Sequence, residues 1–413
     1  MNRRLFLSTL AASSAGTRLR AAGPRITQIT VANTEGRFHK FVAMNSYDKA
    51  PKGHTYVNTV IRVKTDQGVE GAGVMGYSLP DKPFLTALKS LIGANPLELY
   101  RMDGGKITGR QSEYAAALKA YRFLDGPLFD LVGKLTGKPA WQLIGEPVRD
   151  RIEVYDGTLY FSDIWFRDRG VRAVVEEAEE AQRKGYRAIK LKLGRGFKWM
   201  DKDSGLRRDI EVARAVRKAV GPGMRIMADP NNGYAGDRER AWRLMAETAE
   251  SNLYWMEEIF PERVEEYGWL KDKMKEAGSQ TLIADGENFD QPDEFNPYLK
   301  PRRLIDVLQS DIRRCGFIDN LLVARNAEPV GGVLIPHNWG SQTGVLMALH
   351  MAKVVKNIPL AEDDRSTCDV FAIDDGYEFR DGVYRVPARP GLAHHIDESA
   401  YAMKCKPNEV VVS

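Results

Sequence analysis

The chain has 413 residues, 43% of them hydrophobic, and its 60 Lys+Arg against 56 Asp+Glu leave a formal net charge of +4. That length suits one large or two medium domains around a well-buried core. The positive charge is spread along the chain, and no Lys/Arg block interleaved with aromatics stands out, so no nucleic-acid partner is expected; the small basic excess fits a solvated surface or an anionic substrate equally.

The first segment is Asn2-Arg3-Arg4-Leu5-Phe6-Leu7, continuing through Leu10, Ala11, Ala12 and Ala15 to Arg20-Ala21-Ala22-Gly23. Paired arginines, a short weakly apolar run and small residues after it resemble a twin-arginine export signal, cleaved near Ala21 or Ala22. Residues 1–22 are therefore expected to be a leader on a periplasmic protein, a basic N-terminus on a cytoplasmic enzyme being the alternative. This run is too short and polar to span a bilayer, and no later segment qualifies either. A soluble protein with no membrane span is expected.

From residue 26 the text reads as strands: 26–31 and 56–63 alternate, and a turn at Asp66-Gln67-Gly68 leads into 69–74, making a hairpin. Helical periodicity follows over 84–92, 115–123 and 126–135. A meander followed by helices predicts an α+β domain over 23–150. Then the rhythm changes. Apolar runs at 152–155, 188–193, 225–228, 253–256, 281–284, 307–309, 332–336 and 358–361 alternate with amphipathic stretches such as 173–184, 208–220, 238–250 and 318–327. Eight strands spaced by about 30 residues match the roughly 250-residue length of a parallel eight-stranded barrel, here assigned to 151–365. A doubly wound sheet gives the same alternation, but no G-x-G-x-x-G follows an early strand. Residues 366–413 return to strands and turns and are expected to rejoin the first domain. Cys315, Cys368 and Cys405 are too few and too dispersed for a disulfide framework or a metal cluster and read as buried thiols.

Nearly every apolar run is followed by an acid or a base: Lys190-Leu191-Lys192, Asp229-Pro230-Asn231, Glu257-Glu258, Gly286-Glu287-Asn288, Asp311, His337 and Glu362. Singly, each passes for a helix cap, a turn residue or a structural histidine. In a parallel barrel, however, the strand C-termini open onto one face, so these residues converge. Three carboxylates around one point repel each other unless a cation sits between them, and oxygen-only ligands select a hard ion such as Mg²⁺ over zinc. Lys and His beside such a site are the usual proton-transfer groups. Lys190 is expected to lower the pKa of Lys192 by like-charge repulsion, and Asp311 to hold and stabilise the His337 imidazole. Such a set suits removal of the proton next to a substrate carboxylate, giving an enediolate.

The order Lys-x-Lys, Asp-x-Asn, Glu-Glu, Gly-Glu-Asn, Asp, His resembles the mandelate racemase subgroup of the enolase superfamily. So does the passage 130–139 with its continuation through Leu143-Ile144-Gly145 to Arg149-Asp150-Arg151. The resemblance runs from about residue 25 to about residue 398. It implies a modified TIM barrel of the (β/α)7β type under an α+β capping domain that the C-terminal tail completes. It further implies Mg²⁺ on Asp229, Glu257 and Glu287, Lys192 as one base with Lys190 as its companion, and His337 with Asp311 as the acid/base on the opposite face. Asn231 would support the site and Glu362 would hydrogen-bond the carboxylate or enediolate. Asp311 separates this subgroup from muconate-lactonising and dipeptide-epimerase relatives, which carry Lys there. A homo-oligomer is also implied, since relatives often assemble as dimers or octamers. Four departures stand out: Glu257-Glu258-Ile259-Phe260-Pro261 in place of Glu-Glu-Pro, Ser310 in place of a proline, Cys315-Gly316-Phe317 in place of a glycine pair, and Asp363-Asp364-Arg365 after Glu362.

By the same resemblance the expected reaction is dehydration of an acid sugar, an aldonate or aldarate, to a 2-keto-3-deoxy acid, with His337 or its counterpart protonating the departing hydroxyl. Racemisation or epimerisation with the same bases is the alternative, and a metal- and carboxylate-binding relative without turnover is the second. Specificity is expected from residues 33–52 and just beyond, with Arg37, His39, Asn45, Tyr47, His54 and Tyr56 as candidates on a mobile lid. His394 and His395 are adjacent and point apart, so they read as structural or surface residues.

Overall fold

The structure, a computed structural model, describes residues 23–75 and 80–413; the expected leader lies outside the described residues. Eight parallel strands form one sheet in the order Leu360–Asp363, Arg151–Leu159, Ala188–Lys192, Arg225–Asp229, Leu253–Glu257, Leu282–Asp285, Val307–Leu308, Val333–Leu334. The eighth strand in sequence therefore pairs with the first. No ladder among the described residues joins the seventh strand to the eighth, so the barrel keeps one seam that backbone pairing does not close. Seven helical connections join the strands, the fifth holding only the short turns Pro292–Phe295 and Asn296–Leu299.

The strands form because both faces are covered. Ala188–Lys192 is buried at all five positions, with helices outside and packed side chains inside. Tyr155, Ala188, Met227, Trp255, Ala284, Val307 and Leu360, each from a different strand, and Ile335 just past the seventh make a single buried layer across the interior. Side chains alternate along a strand, so the inward residue two positions further on stands at the C-terminal mouth. Lys190, Glu257, His337 and Glu362 occupy such positions.

A second, antiparallel sheet is built from Ile26–Val42, Gly53–Thr65 and Glu70–Val74. The first strand runs on to Val42, so much of the stretch expected to be a loop over 33–52 is paired backbone, and only 43–52 connects. Polar residues such as Asn33 and Glu35 masked this extension; pairing with Gly36↔Tyr56 and its neighbours carries it through. The free edge of this first strand accepts Ser366–Thr367 near one end and Val410–Val412 near the other. Part of the tail goes elsewhere: the hairpin Glu378–Arg380/Val383–Arg385 pairs with Arg151–Glu153 at the start of the first barrel strand. The expectation that the whole tail rejoins the first domain is corrected in that respect. Three short alternating strands carry no mark of which sheet edge they will join.

His350 ties the tail to the barrel. Its Nδ1 accepts the Trp141 N–H at 3.0 Å, so the proton sits on Nε2, which donates to Tyr377 Oη at 2.7 Å; that hydroxyl donates to the Leu392 carbonyl at 2.8 Å. Burial, with His394 and Lys353 nearby, pushes the imidazole down to about 3. A pKa depressed on folding means that the stability supplied here is full above about pH 6.5 and drains away as the pH falls. His350→Gln should therefore lower the melting temperature at about pH 7.5, and the gap to the wild type should shrink towards about pH 4.5. Thermal unfolding of both proteins across that range checks this; a gap independent of pH excludes it.

Candidate functional site

Asp229 and Glu257 end the third and fourth barrel strands, and Glu287 follows the fifth by two residues. One carboxylate oxygen from each lies within 4.8 Å of the others. Glu287 gets there through Gly286, whose φ of +107° and whose approach to the Phe295 ring, 2.3 Å from where a Cβ would stand, only glycine permits. Glu287 Oε2 is buried without a hydrogen-bond partner. Three clustered carboxylates with an orphaned oxygen are a donor set that fits a hard divalent cation.

Two lysines face this cluster from the second strand. Lys190 Nζ lies 2.7 Å from Glu257 Oε1, 3.0 Å from Glu362 Oε1 and 3.6 Å from Asp229 Oδ2, and Lys192 Nζ contacts Asp229 Oδ2 directly. Burial alone would lower both ammonium groups, yet Glu257 and Glu362 hold Lys190 well above its ordinary range and Asp229 raises Lys192. Lys190 does act on Lys192 in the downward sense, but the touching carboxylate outweighs it, which corrects the expectation of a lowered Lys192. Burial and then Asp229 push Glu287 up to about 7, and the same two causes raise Glu257 well above the carboxylate range. Asp229, with both lysines beside it, is lowered despite its burial.

Across the cluster, His337 Nε2 stands 3.3 Å from Glu287 Oε2 and Nδ1 stands 2.8 Å from Asp311 Oδ2. Asp311 does two jobs. Its Oδ1 caps the helix Ile312–Ala327 by accepting the Arg313 and Arg314 N–H groups at 2.8 and 3.0 Å, which leaves Oδ2 for His337 and for the Arg313 guanidinium. Burial pushes Asp311 up to about 8 and His337 well below its usual value, the latter helped by Lys190.

Of the acids at the end of the last strand, only Glu362 points into the mouth. Its Oε2 accepts the Asn338 N–H at 3.0 Å, Asp363 takes the Tyr186 hydroxyl at 2.6 Å, and Asp364 accepts the Gly340 and Ser341 N–H groups. Asn231, at φ +45°, donates its backbone N–H to Asp229 Oδ1 at 2.9 Å and its amide to Glu258 Oε2 at 2.8 Å.

The expected specificity residues scatter. Tyr47, half exposed, faces Glu287 and Lys192. Asn45 is buried and spends its side chain on the Tyr47 and Asp48 N–H groups, holding the turn. Tyr56 packs on Phe38 and reaches the Thr367 carbonyl, His54 edges onto Phe41, and His39 sits with Asp156 and Glu180. Arg37 pairs with Glu35 on the exposed surface. Three neighbours of the cluster escaped the sequence reading: Trp255, whose indole donates to Glu257 Oε2 at 2.9 Å, Tyr155, and Tyr160, whose ring centroid lies 5.3 Å from Lys192 Nζ. Trp255 was within reach of the alternation rule, two residues before Glu257; the two tyrosines carry no comparable signal.

Fold and site together define a barrel enzyme with acid/base groups flanking a carboxylate cluster at its C-terminal mouth. Residues 173–400 match the family described as enolase C-terminal domain-like, and the chain belongs to that family, within the enolase superfamily. It is 27% identical over 362 residues to D-galactarolactone cycloisomerase of Agrobacterium fabrum, covering 83% of this chain and 90% of that one. It is 26% identical over 366 residues to D-xylonate dehydratase of Haloferax volcanii, covering 83% and 84%. A crystal structure of a mutant galacturonate dehydratase from a Geobacillus species, complexed with Mg, matches with a TM-score of 0.81 at 27% identity over 94% of this chain and 97% of that one.

A Cβ added at Gly157 would stand 2.5 Å from Glu362 Oε1. Gly157→Ala should swing that carboxylate off Lys190 and lower turnover about tenfold or more, while the melting temperature moves by only a few degrees. Steady-state kinetics beside thermal unfolding checks this; full activity would detach Glu362 from the chemistry.

Proposed function

We propose that the protein removes the α-proton of a carboxylate substrate and dehydrates an acid sugar to a 2-keto-3-deoxy acid. The observation that carries this reading is that two acid/base systems meet one carboxylate trio, Lys192 touching it at Asp229 and His337 at Glu287. Asp229, Glu257 and Glu287 would hold Mg²⁺, which when bound supplies positive charge that stabilises an oxyanion. A cation held there would offset Asp229 against Lys192, leave the repulsion from Lys190 to favour the neutral amine, and so suit Lys192 to act as the base. Lys190 and Glu362 bind and orient the carboxylate end, and Asn231 steadies Asp229. Asp311 fixes His337 through Nδ1, leaving Nε2 to exchange protons with the substrate. The dehydratases among the relatives support loss of the β-hydroxyl. Racemisation or epimerisation by the same bases is the second reading, which the cycloisomerase among the relatives keeps in play. A binding protein without turnover would need neither Lys192 nor the Asp311–His337 pair.

The wider arrangement belongs to the same proposal: residues 23–150, with the tail segments Ser366–Thr367 and Val410–Val412, form a cap over the catalytic barrel 151–365, residues 1–22 direct export and are then removed, and copies of the chain associate. No helix among the described residues is long and apolar enough to cross a membrane.

Incubation with Mg²⁺ in D₂O against a panel of mono- and diacid sugars should yield a keto acid from one of them. EDTA should abolish it, and Lys192→Ala or His337→Asn should cost at least about a hundredfold in rate. Glu287→Gln should weaken Mg²⁺ binding measured by calorimetry. Deuterium exchange without keto acid would move the assignment to a racemase or epimerase; neither keto acid nor exchange would leave a binding protein, and keto-acid formation untouched by both substitutions would remove Lys192 and His337 from the chemistry.

A further inference from the structure

The connection 43–52 lies directly over the site. Ser46 Oγ donates to the Asn231 carbonyl at 2.7 Å, the Phe161 N–H to the Met44 carbonyl at 2.9 Å, and the Trp199 indole to the Asn45 carbonyl at 2.7 Å. Within it, Lys52 Nζ lies 3.0 Å from Asp48 Oδ1, both side chains being largely shielded from solvent. Lys52 Nζ also lies 5.9 Å from the centroid of the Tyr160 ring, the ring that Lys192 Nζ meets at 5.3 Å. The two ammonium groups are therefore no more than about 11 Å apart. Tyr160 packs in turn, tilted, against Trp339, at 4.9 Å between centroids, two residues beyond His337.

A six-carbon chain extends roughly 6 Å between its end carbons, at about 3.5 Å per three bonds, so with a hydrogen bond of about 2.8 Å at each end it bridges from Lys192 to Lys52. Lys52 is thus placed to meet the far end of a substrate whose α-carbon faces Lys192. What that far end can be follows from charge. The Lys52 ammonium already has a carboxylate partner, so the pair is neutral as a unit while offering N–H donors beside a carboxylate acceptor. Hydroxyl groups, which both donate and accept, satisfy such a pair. A second carboxylate would meet Asp48 at close range and be repelled by it. The rings of Tyr160 and Trp339 offer an apolar wall to the C–H face of the same chain.

We propose that Asp48, Lys52 and the Tyr160–Trp339 wall form a distal subsite for a neutral polyhydroxylated end, so that the substrate is an aldonate and not an aldarate. This rests on the acid-sugar reading above. The test compares kcat/KM for aldonates and for the aldarates of matching configuration, in the wild type, Asp48→Asn and Lys52→Met. The wild type should favour an aldonate by about tenfold or more. Asp48→Asn keeps an acceptor for the Asn45 N–H but unmasks the ammonium, and should shift the ratio towards the diacid by about tenfold. Lys52→Met should raise KM for the aldonate more than it lowers kcat. A wild-type preference for aldarates, or a ratio unmoved by Asp48→Asn, overturns the subsite while leaving the acid-sugar reading standing. Absence of Mg²⁺-dependent exchange with every member of both series overturns that reading and this one together.

Discussion

Like charge confined to a dry space governs the mouth of this barrel. Asp229, Glu257, Glu287 and Glu362 face Lys190 and Lys192, all of them buried or nearly so, which leaves the group formally short of two positive charges. Unit charges about 4 Å apart interact by roughly 4 kcal/mol even at the effective dielectric of a protein surface, so such a shortage cannot be ignored. Burial and then Asp229 raise Glu257 and Glu287 accordingly, and the shortage is of the size that a divalent cation would supply. The lysines, expected from their chemistry to be poised for proton transfer, serve in this state as counter-ions.

The second constraint is precision, and it is met by giving one carboxylate two tasks. Asp311 is the helix cap that a bland reading of the sequence would have made it, and because one oxygen is locked by two backbone N–H groups the other is aimed at His337. Glu362 is held in a similar way, with one oxygen on the Asn338 N–H and one on Lys190. That contact also runs across the seam between the seventh and eighth strands, where no backbone ladder forms. Groups whose orientation is settled by the fold need little reorganisation when a substrate arrives.

Much of this was legible because period and chemistry coincide in a parallel barrel. An acid or base at the end of each of several successive apolar runs is enough to place Asp229, Glu257, Glu287, Asp311 and His337 around one point without any knowledge of contacts. What was not legible depended on pairing. The first strand of the antiparallel sheet continues through Asn33 and Glu35 because a partner strand is there to receive it, and that turned much of an expected loop into sheet. Arg37 and His54 looked suitable as substrate ligands by type alone, yet they lie along this sheet and face away from the cluster or onto Phe41. The state of Lys192 was misjudged for a related reason: proximity to Lys190 is visible in the sequence, whereas contact with Asp229, 37 residues away, is not.

The sheet beside the barrel has a consequence for how the molecule is made. Its first strand precedes the barrel in the sequence, yet one of its edges is filled by Val410–Val412, and Asn33 bonds Asn408 from 375 residues away. Through synthesis of the whole barrel that edge has no partner of its own. Both segments that cover that edge follow the barrel in the sequence, so the sheet is completed only after the barrel strands exist. Closing so long a loop is slow in the sense that distant contacts always are.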